Sequence, residues 1–164
     1  MATCLMPAIS LSAASLSACS SSNNAASQRT LQRQADIYAI EQIEVNWHKA
    51  SSTKNVDLMM SLWSDDATFT VGATTYTGKA QIRNFFVTKA APFQRENHWV
   101  SDTPAYKRRV TVGGDAGTLY FECDYVDVTS RQVRAVVSAD QDVARINGRW
   151  LITKSVAATP ELSP

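Results

Sequence analysis

The apolar residues of this 164-residue chain change their period once, and that change restricts the fold class more than any other feature. Before about Lys89 they recur mainly at spacings of three and four, the mark of helices with one buried face. After His98 they alternate or form β-branched and aromatic runs, the mark of strands. Ile37, Ile40, Ile43, Trp47 and Ala50 share a helical face, and Ser51-Ser52-Thr53-Lys54-Asn55 ends that run. A second, short helix is predicted from Val56 to about Trp63, and a third from Lys79 to about Lys89, with Pro92 just beyond it. Between them, Ala67–Val71 and Thr74–Thr77 read as a short hairpin turning at Gly72. Strands follow over 98–112 (with Pro104 at an edge or bulge), 117–128, 133–146 and 149–157, the last two joined by Asn147-Gly148. Helices gathered before strands predict an α+β fold, its three N-terminal helices packed on one face of a curved antiparallel sheet.

Charge divides the chain elsewhere. The first charged residue is Arg29, and all thirty-one Asp, Glu, Lys and Arg lie from there onward. Residues 5–18 are mostly apolar or small and are too short to span a bilayer, which suits the apolar stretch of a signal peptide. They end in Leu16-Ser17-Ala18-Cys19, which resembles the lipobox of bacterial lipoproteins, where the cysteine is lipidated and becomes the new N-terminus. The expected organisation is therefore 1–18 signal peptide, 19–29 lipid-anchored polar tether, 30–158 folded domain and 159–164 loose tail. The expected address is an exported bacterial cell-envelope lipoprotein, with a cleaved secreted protein as the alternative. Once Cys19 is processed, Cys123 is the only other cysteine left, so no intramolecular disulfide staples the domain. Cys123 itself reads as a buried, inert thiol.

Sixteen Lys and Arg against fifteen Asp and Glu give no electrostatic case for binding nucleic acid or an anionic membrane. Any membrane contact is expected through the lipid anchor alone. There is no Walker A loop and no dinucleotide glycine pattern. The two histidines, His48 and His98, fit no zinc spacing, and no GxSxG elbow occurs. No metal and no cofactor are expected.

Three phrases carry a family resemblance: Leu62-Trp63-Ser64-Asp65-Asp66-Ala67-Thr68-Phe69, the run from Tyr76-Thr77-Gly78-Lys79 to Phe85-Phe86, and Arg145-Ile146-Asn147-Gly148-Arg149-Trp150-Leu151-Ile152. In this order, from about Arg33 to Ala157, they resemble the SnoaL-like branch of the nuclear transport factor 2-like superfamily. The resemblance implies a cone: a bent sheet around the first helix, an apolar pocket at the open end, and frequently a homodimer through the outer sheet face. Dehydratases, isomerases, epoxide hydrolases, cyclases and binding modules all use this fold, so fold does not choose among them. At the positions matching the dehydratase Tyr-Asp pair stand Ser51 and Ser52, and His98 stands at the dehydratase histidine. At the isomerase base stands Val71, near the isomerase tyrosine Trp47, and Asp142 is the possible counterpart of the second oxyanion donor.

His98 and Asp142 are thus the catalytic candidates, His98 because imidazole titrates near neutrality. Trp47, Ser51, Trp63, Phe69, Tyr76, Phe86 and His98 are the expected pocket residues. Glu44 and His48, four apart, read either as a dyad reaching the pocket or, by preference, as a solvated surface pair. Glu122 and Asp124, two apart on one strand face, read either as a paired carboxylate site or, by preference, as the exposed outer sheet face, with Leu119, Phe121, Cys123 and Tyr125 inside. Lys107-Arg108-Arg109 reads as a solvated stretch of strand. The expectation is an exported domain that binds a small apolar molecule, open as to whether it adds cofactor-free dehydratase- or isomerase-type acid–base chemistry. The alternative is a non-catalytic interaction or assembly module at the membrane face.

Overall fold

A computed structural model describes residues 18–101 and 104–158. Residues 1–17, read as signal peptide, and 159–164, read as a tail, lie outside this range, and so do the side chains around the lipobox cysteine, Cys19. The chain divides into two units, 1–32 and 33–164. In the first, helix α1 (Ala18–Ser52) begins, so the stretch read as a tether is helical here. Its Ala and Gln residues favour helix, and extending an existing helix costs far less than starting one. No helix among the described residues is long and apolar enough to cross a membrane.

In the second unit, α1 continues and presents Asp36, Ile40, Ile43, Glu44, Trp47, His48, Ala50 and Ser51 as a buried stripe. Helix α2 (Val56–Met60) is capped by Asn55, whose Oδ1 accepts from the Leu58 amide. It is shorter than the sequence reading, because Trp63 opens strand β1 (Trp63–Val71) rather than closing the helix. Strand β2 (Thr74–Thr77) returns antiparallel to β1, and α3 (Gly78–Thr88) follows, burying Ile82 and Phe86. A 3-10 turn (Ala91–Phe93) leads to β3 (Trp99–Ser101). The segment read as one strand over 98–112 is thus two, β3 and β4 (Lys107–Gly113). Strands β5 (Ala116–Asp127), β6 (Gln132–Ile146) and β7 (Arg149–Ala158) complete the sheet. The β6–β7 turn places Asn147 and Gly148 at positive φ, the conformation a two-residue hairpin needs.

The sheet runs in the order β2-β1-β7-β6-β5-β3, with β4 also paired to β5. Its one parallel pairing is β1 with β7, which joins the early hairpin to the C-terminal strands. Register breaks at Tyr125/Val126 and Asp142/Val143 bend the long strands. The inner face carries Leu119, Phe121, Cys123 and Tyr125 from β5, and Ala139, Gln141 and Val143 from β6, all buried. Trp47 reaches this layer from α1 and meets Trp63, Phe69, Phe86 and Phe121 with ring centroids 5.7–6.3 Å apart. Edge-to-face contacts at such distances add stabilisation beyond area burial. Cys123 is a free, buried thiol, and loss of solvation pushes its pKa up to about 12.

Candidate binding cavity

Near one end of the inner face the aromatic layer stops short of closing, and a cavity of about 360 Å³ remains. Trp47 and Phe86 line it, with Phe69 and Val71 from β1. Phe85 and Lys89 come from the end of α3, and Ala90 to Phe93 from the 3-10 turn. Trp99, Tyr125, Ala135, Val137 and Ala157 complete it from the sheet. Small residues on β6 and β7 face large rings on the helices, and this size mismatch leaves the space. Lys89 is the single charged side chain among the described lining residues. Lys54, at positive φ just after α1, donates from Nζ to the carbonyls of Gln94 and Asn97, both at 2.5 Å, and so ties down the loop that forms the Ala91–Phe93 wall.

Beside the cavity lies a buried polar array. Glu44 and His48 are both fully buried, so the preferred reading of a solvated pair is corrected. Strands β3 and β4 close over this face of α1, which no local spacing reveals. Glu44 Oε1 accepts from the Ala105 amide at 3.0 Å, and Oε2 accepts from Arg108 Nη1 at 2.8 Å. His48 Nε2 sits 2.8 Å from Glu44 Oε1, at ion-pair distance but off the hydrogen-bond axis. His48 Nδ1 is 2.5 Å from Ser101 Oγ, and the Ser101 amide donates to Ser52 Oγ at 2.8 Å. Burial alone would raise the Glu44 pKa, but His48, the Ala105 amide and Arg108 outweigh it and hold the carboxyl at about 2. Arg108 also reaches Glu41 at 3.0 Å, so the Lys107-Arg108-Arg109 stretch is not simply solvated. Phe121 packs edge-on against the His48 ring at 5.4 Å. Glu44, His48 and Ser101 are not among the cavity-lining residues.

Tyr125 links the two regions. Its ring lines the cavity, and its hydroxyl donates to Ser51 Oγ at 3.3 Å. Burial pushes its pKa up to about 12, so the phenol stays protonated at neutral pH.

Of the residues expected at a pocket, Trp47, Phe69 and Phe86 line the cavity. Ser51 stands behind it, Trp63 is sealed in the core, and Tyr76 sits beside Lys89 without lining the space. His98 is exposed and does not line the cavity, which corrects its reading as pocket acid or base. It precedes β3, and the chain turns inward only with the next residue, Trp99. Asp142 is also exposed, 3.9 Å from Lys154, and is likewise corrected. The inward positions of β6 here are 139, 141 and 143, so an even-numbered residue beside them faces out. Glu122 lies opposite the inner face as read, yet it is covered: Tyr106 and Tyr120 hydroxyls and Lys107 Nζ all donate to it. Those donors, Lys107 first, hold its pKa at about 2. Sequence reasoning missed Phe85, Phe93, Trp99, Tyr125 and the small residues Ala135 and Ala157 as lining. For Tyr125, Ala135 and Ala157 inward parity on β5 to β7 was the available signal, but which inward positions reach the cavity depends on where the strands bend. No group of three or more His, Cys, Asp or Glu that could hold a metal occurs among the described residues.

A curved sheet around a long helix, with an apolar cavity between them, defines the cone-type α+β class. The sequence matches the SnoaL-like domain over residues 32–156, and the chain belongs to that family. Solved structures share the fold. An NTF2-like protein of unknown function from Pseudomonas putida KT2440 superposes with a TM-score of 0.69 at 15% identity, covering 80% of this chain and 98% of that one. An NTF2-like protein with a cystatin-like fold from Novosphingobium aromaticivorans gives 0.69 at 19% identity, covering 87% and 91%. A hexachlorocyclohexane dehydrochlorinase, LinA-type3, from Novosphingobium barchaimii LL02 gives 0.67 at 19%, covering 82% and 93%. At these identities the likeness establishes the fold alone. No curated protein matches the chain.

Proposed function

We propose that this domain binds a small, largely apolar molecule in the cone cavity. The cavity itself carries the reading: about 360 Å³ walled by aromatic and aliphatic side chains, with no carboxylate and no imidazole among the described lining residues. An engineered apolar cavity of roughly 150 Å³ accepts benzene, so a space more than twice as large suits a two-ring hydrocarbon with a substituent. Cavities of roughly 300–1,000 Å³ with few polar groups are the usual form of small-molecule sites. Acid–base turnover finds less support than binding, because the phenol of Tyr125 is tied back to Ser51 and the Glu44–His48 pair lies outside the lining. That a dehydrochlorinase shares the fold is compatible with an apolar, cyclic ligand. Export behind a lipidated Cys19 and a homodimer through the outer sheet face, where Val156 is exposed, belong to the same proposal.

Equilibrium dialysis with naphthalene tests the site. The unaltered protein should retain it, and Val137→Trp, which fills the cavity from β6, should abolish retention while keeping the far-UV circular dichroism of the fold. Absence of retention up to the solubility limit, or retention unchanged in Val137→Trp, would overturn the proposal.

A further inference from the structure

Among the described residues Lys89 is the one charged side chain in an otherwise carbon-lined space, and it has no counterion there. It takes part in none of the ion pairs among the described residues, in contrast to Lys79, Lys107, Arg108 and Arg145. Its Nζ donates to Tyr76 Oη at 3.3 Å and lies 5.4 Å from the centroid of the Tyr76 ring. Both contacts leave the positive charge uncompensated, and both hold it at the end of α3 where the side chain is exposed. The aromatic residues that share the lining with it, Trp47, Phe69 and Phe86 among them, offer ring faces and edges only.

From this asymmetry we infer that the ligand is an apolar ring system bearing one anionic group, a carboxylate or its equivalent, held at the cavity mouth by Lys89. The inference rests on the cavity reading above and adds the ligand's charge and orientation. A carboxylate placed against Trp47, Phe69 and Phe86 would be desolvated without a partner, which strongly disfavours that orientation. At the mouth it keeps part of its hydration and meets an ammonium that no carboxylate of the described residues pairs with. A cationic ligand is disfavoured in the same place by like charge. The ring end therefore enters first, and the acid stays at the rim. The gain from such a half-exposed pair is modest, up to about 5-fold in affinity, and it weakens as salt rises.

Three probes of near-equal shape separate the possibilities: 2-naphthoate, the neutral 2-naphthamide and the cationic 2-naphthylmethylamine. Calorimetric titration at low ionic strength should rank naphthoate about 3- to 5-fold above naphthamide, with the amine weakest. Lys89→Met should remove the advantage of naphthoate over naphthamide, and Lys89→Glu should invert the order of naphthoate and amine. Because Lys89 is exposed, both variants should melt within a few degrees of the unaltered protein, so a lost preference is not lost folding. Naphthoate no tighter than naphthamide, or a preference that survives Lys89→Met, would overturn the inference. If naphthalene is retained and naphthoate is not preferred, the apolar site stands and only the charge assignment falls. If neither naphthalene nor any of the three binds, both readings fall.

Discussion

Replacing Glu44 by Gln tests the buried array and its pH dependence together. The carboxyl is fully buried, and it contacts His48, the Ala105 amide and Arg108 at 2.8–3.0 Å. Its pKa falls from 4.5 to about 2 in the folded state. A folded pKa below the unfolded one means that the folded protein resists protonation there. The stabilisation is then fully present above about pH 4.5 and is lost as the pH falls toward 2. Across that window it amounts to about 3 kcal/mol. Glu44→Gln keeps the shape but removes the charge that Arg108 and His48 face, so at pH 7 it should cost about 2–4 kcal/mol. At pH 2.5 the unfolded carboxyl is neutral and the folded one is nearing its own pKa, so most of that difference should vanish. Urea unfolding followed by tryptophan fluorescence at pH 7, 4.5 and 2.5 measures this, with the variant subtracting every other group that titrates in acid, Glu122 included. A stability difference that stays constant from pH 7 to pH 2.5 would refute the assignment of the acid sensitivity to Glu44.

Two further outcomes follow from the same structure. Gln141 is fully buried opposite Ser155, and among the described residues neither its Oε1 nor its Nε2 meets a hydrogen-bond partner, nor does Ser155 Oγ. Gln141→Leu should therefore raise stability by about 1 kcal/mol, read as a higher urea midpoint; a loss of similar size would show that the amide is paired in solution. Lys54→Met removes the donor to Gln94 and Asn97 and should speed amide hydrogen exchange over residues 91–97 at least 10-fold, leaving β5 to β7 unchanged. Unaltered exchange in that loop would mean that the lysine does not hold the cavity wall.

Local chemistry was enough for much of this molecule. The stripe of Ile40, Ile43, Trp47 and Ala50 marks the buried face of α1 because helical spacing brings such residues together whatever surrounds them. Asn147-Gly148 marks the β6–β7 turn because few other pairs tolerate positive φ at both positions. The inward set Leu119, Phe121, Cys123 and Tyr125 follows from alternation along one strand. The site was less legible, since it depends on contacts between residues far apart in the chain. Whether Glu44 and His48 meet water is decided by Ser101, Ala105 and Arg108, which lie 53 to 64 residues away and close over α1 only when β3 and β4 pair with β5. Alternation along β6 turns Asp142 outward between the inward Gln141 and Val143, but it could not show that His98 stops one residue short of the inward turn at Trp99. The cavity is decided at the same level: Ala135 and Ala157 are unremarkable in sequence, and they share a lining with Phe69 and Val71 only because β1 pairs in parallel with β7. Periodicity determines which face of an element is buried, and only the packing of those faces determines what each buried residue meets.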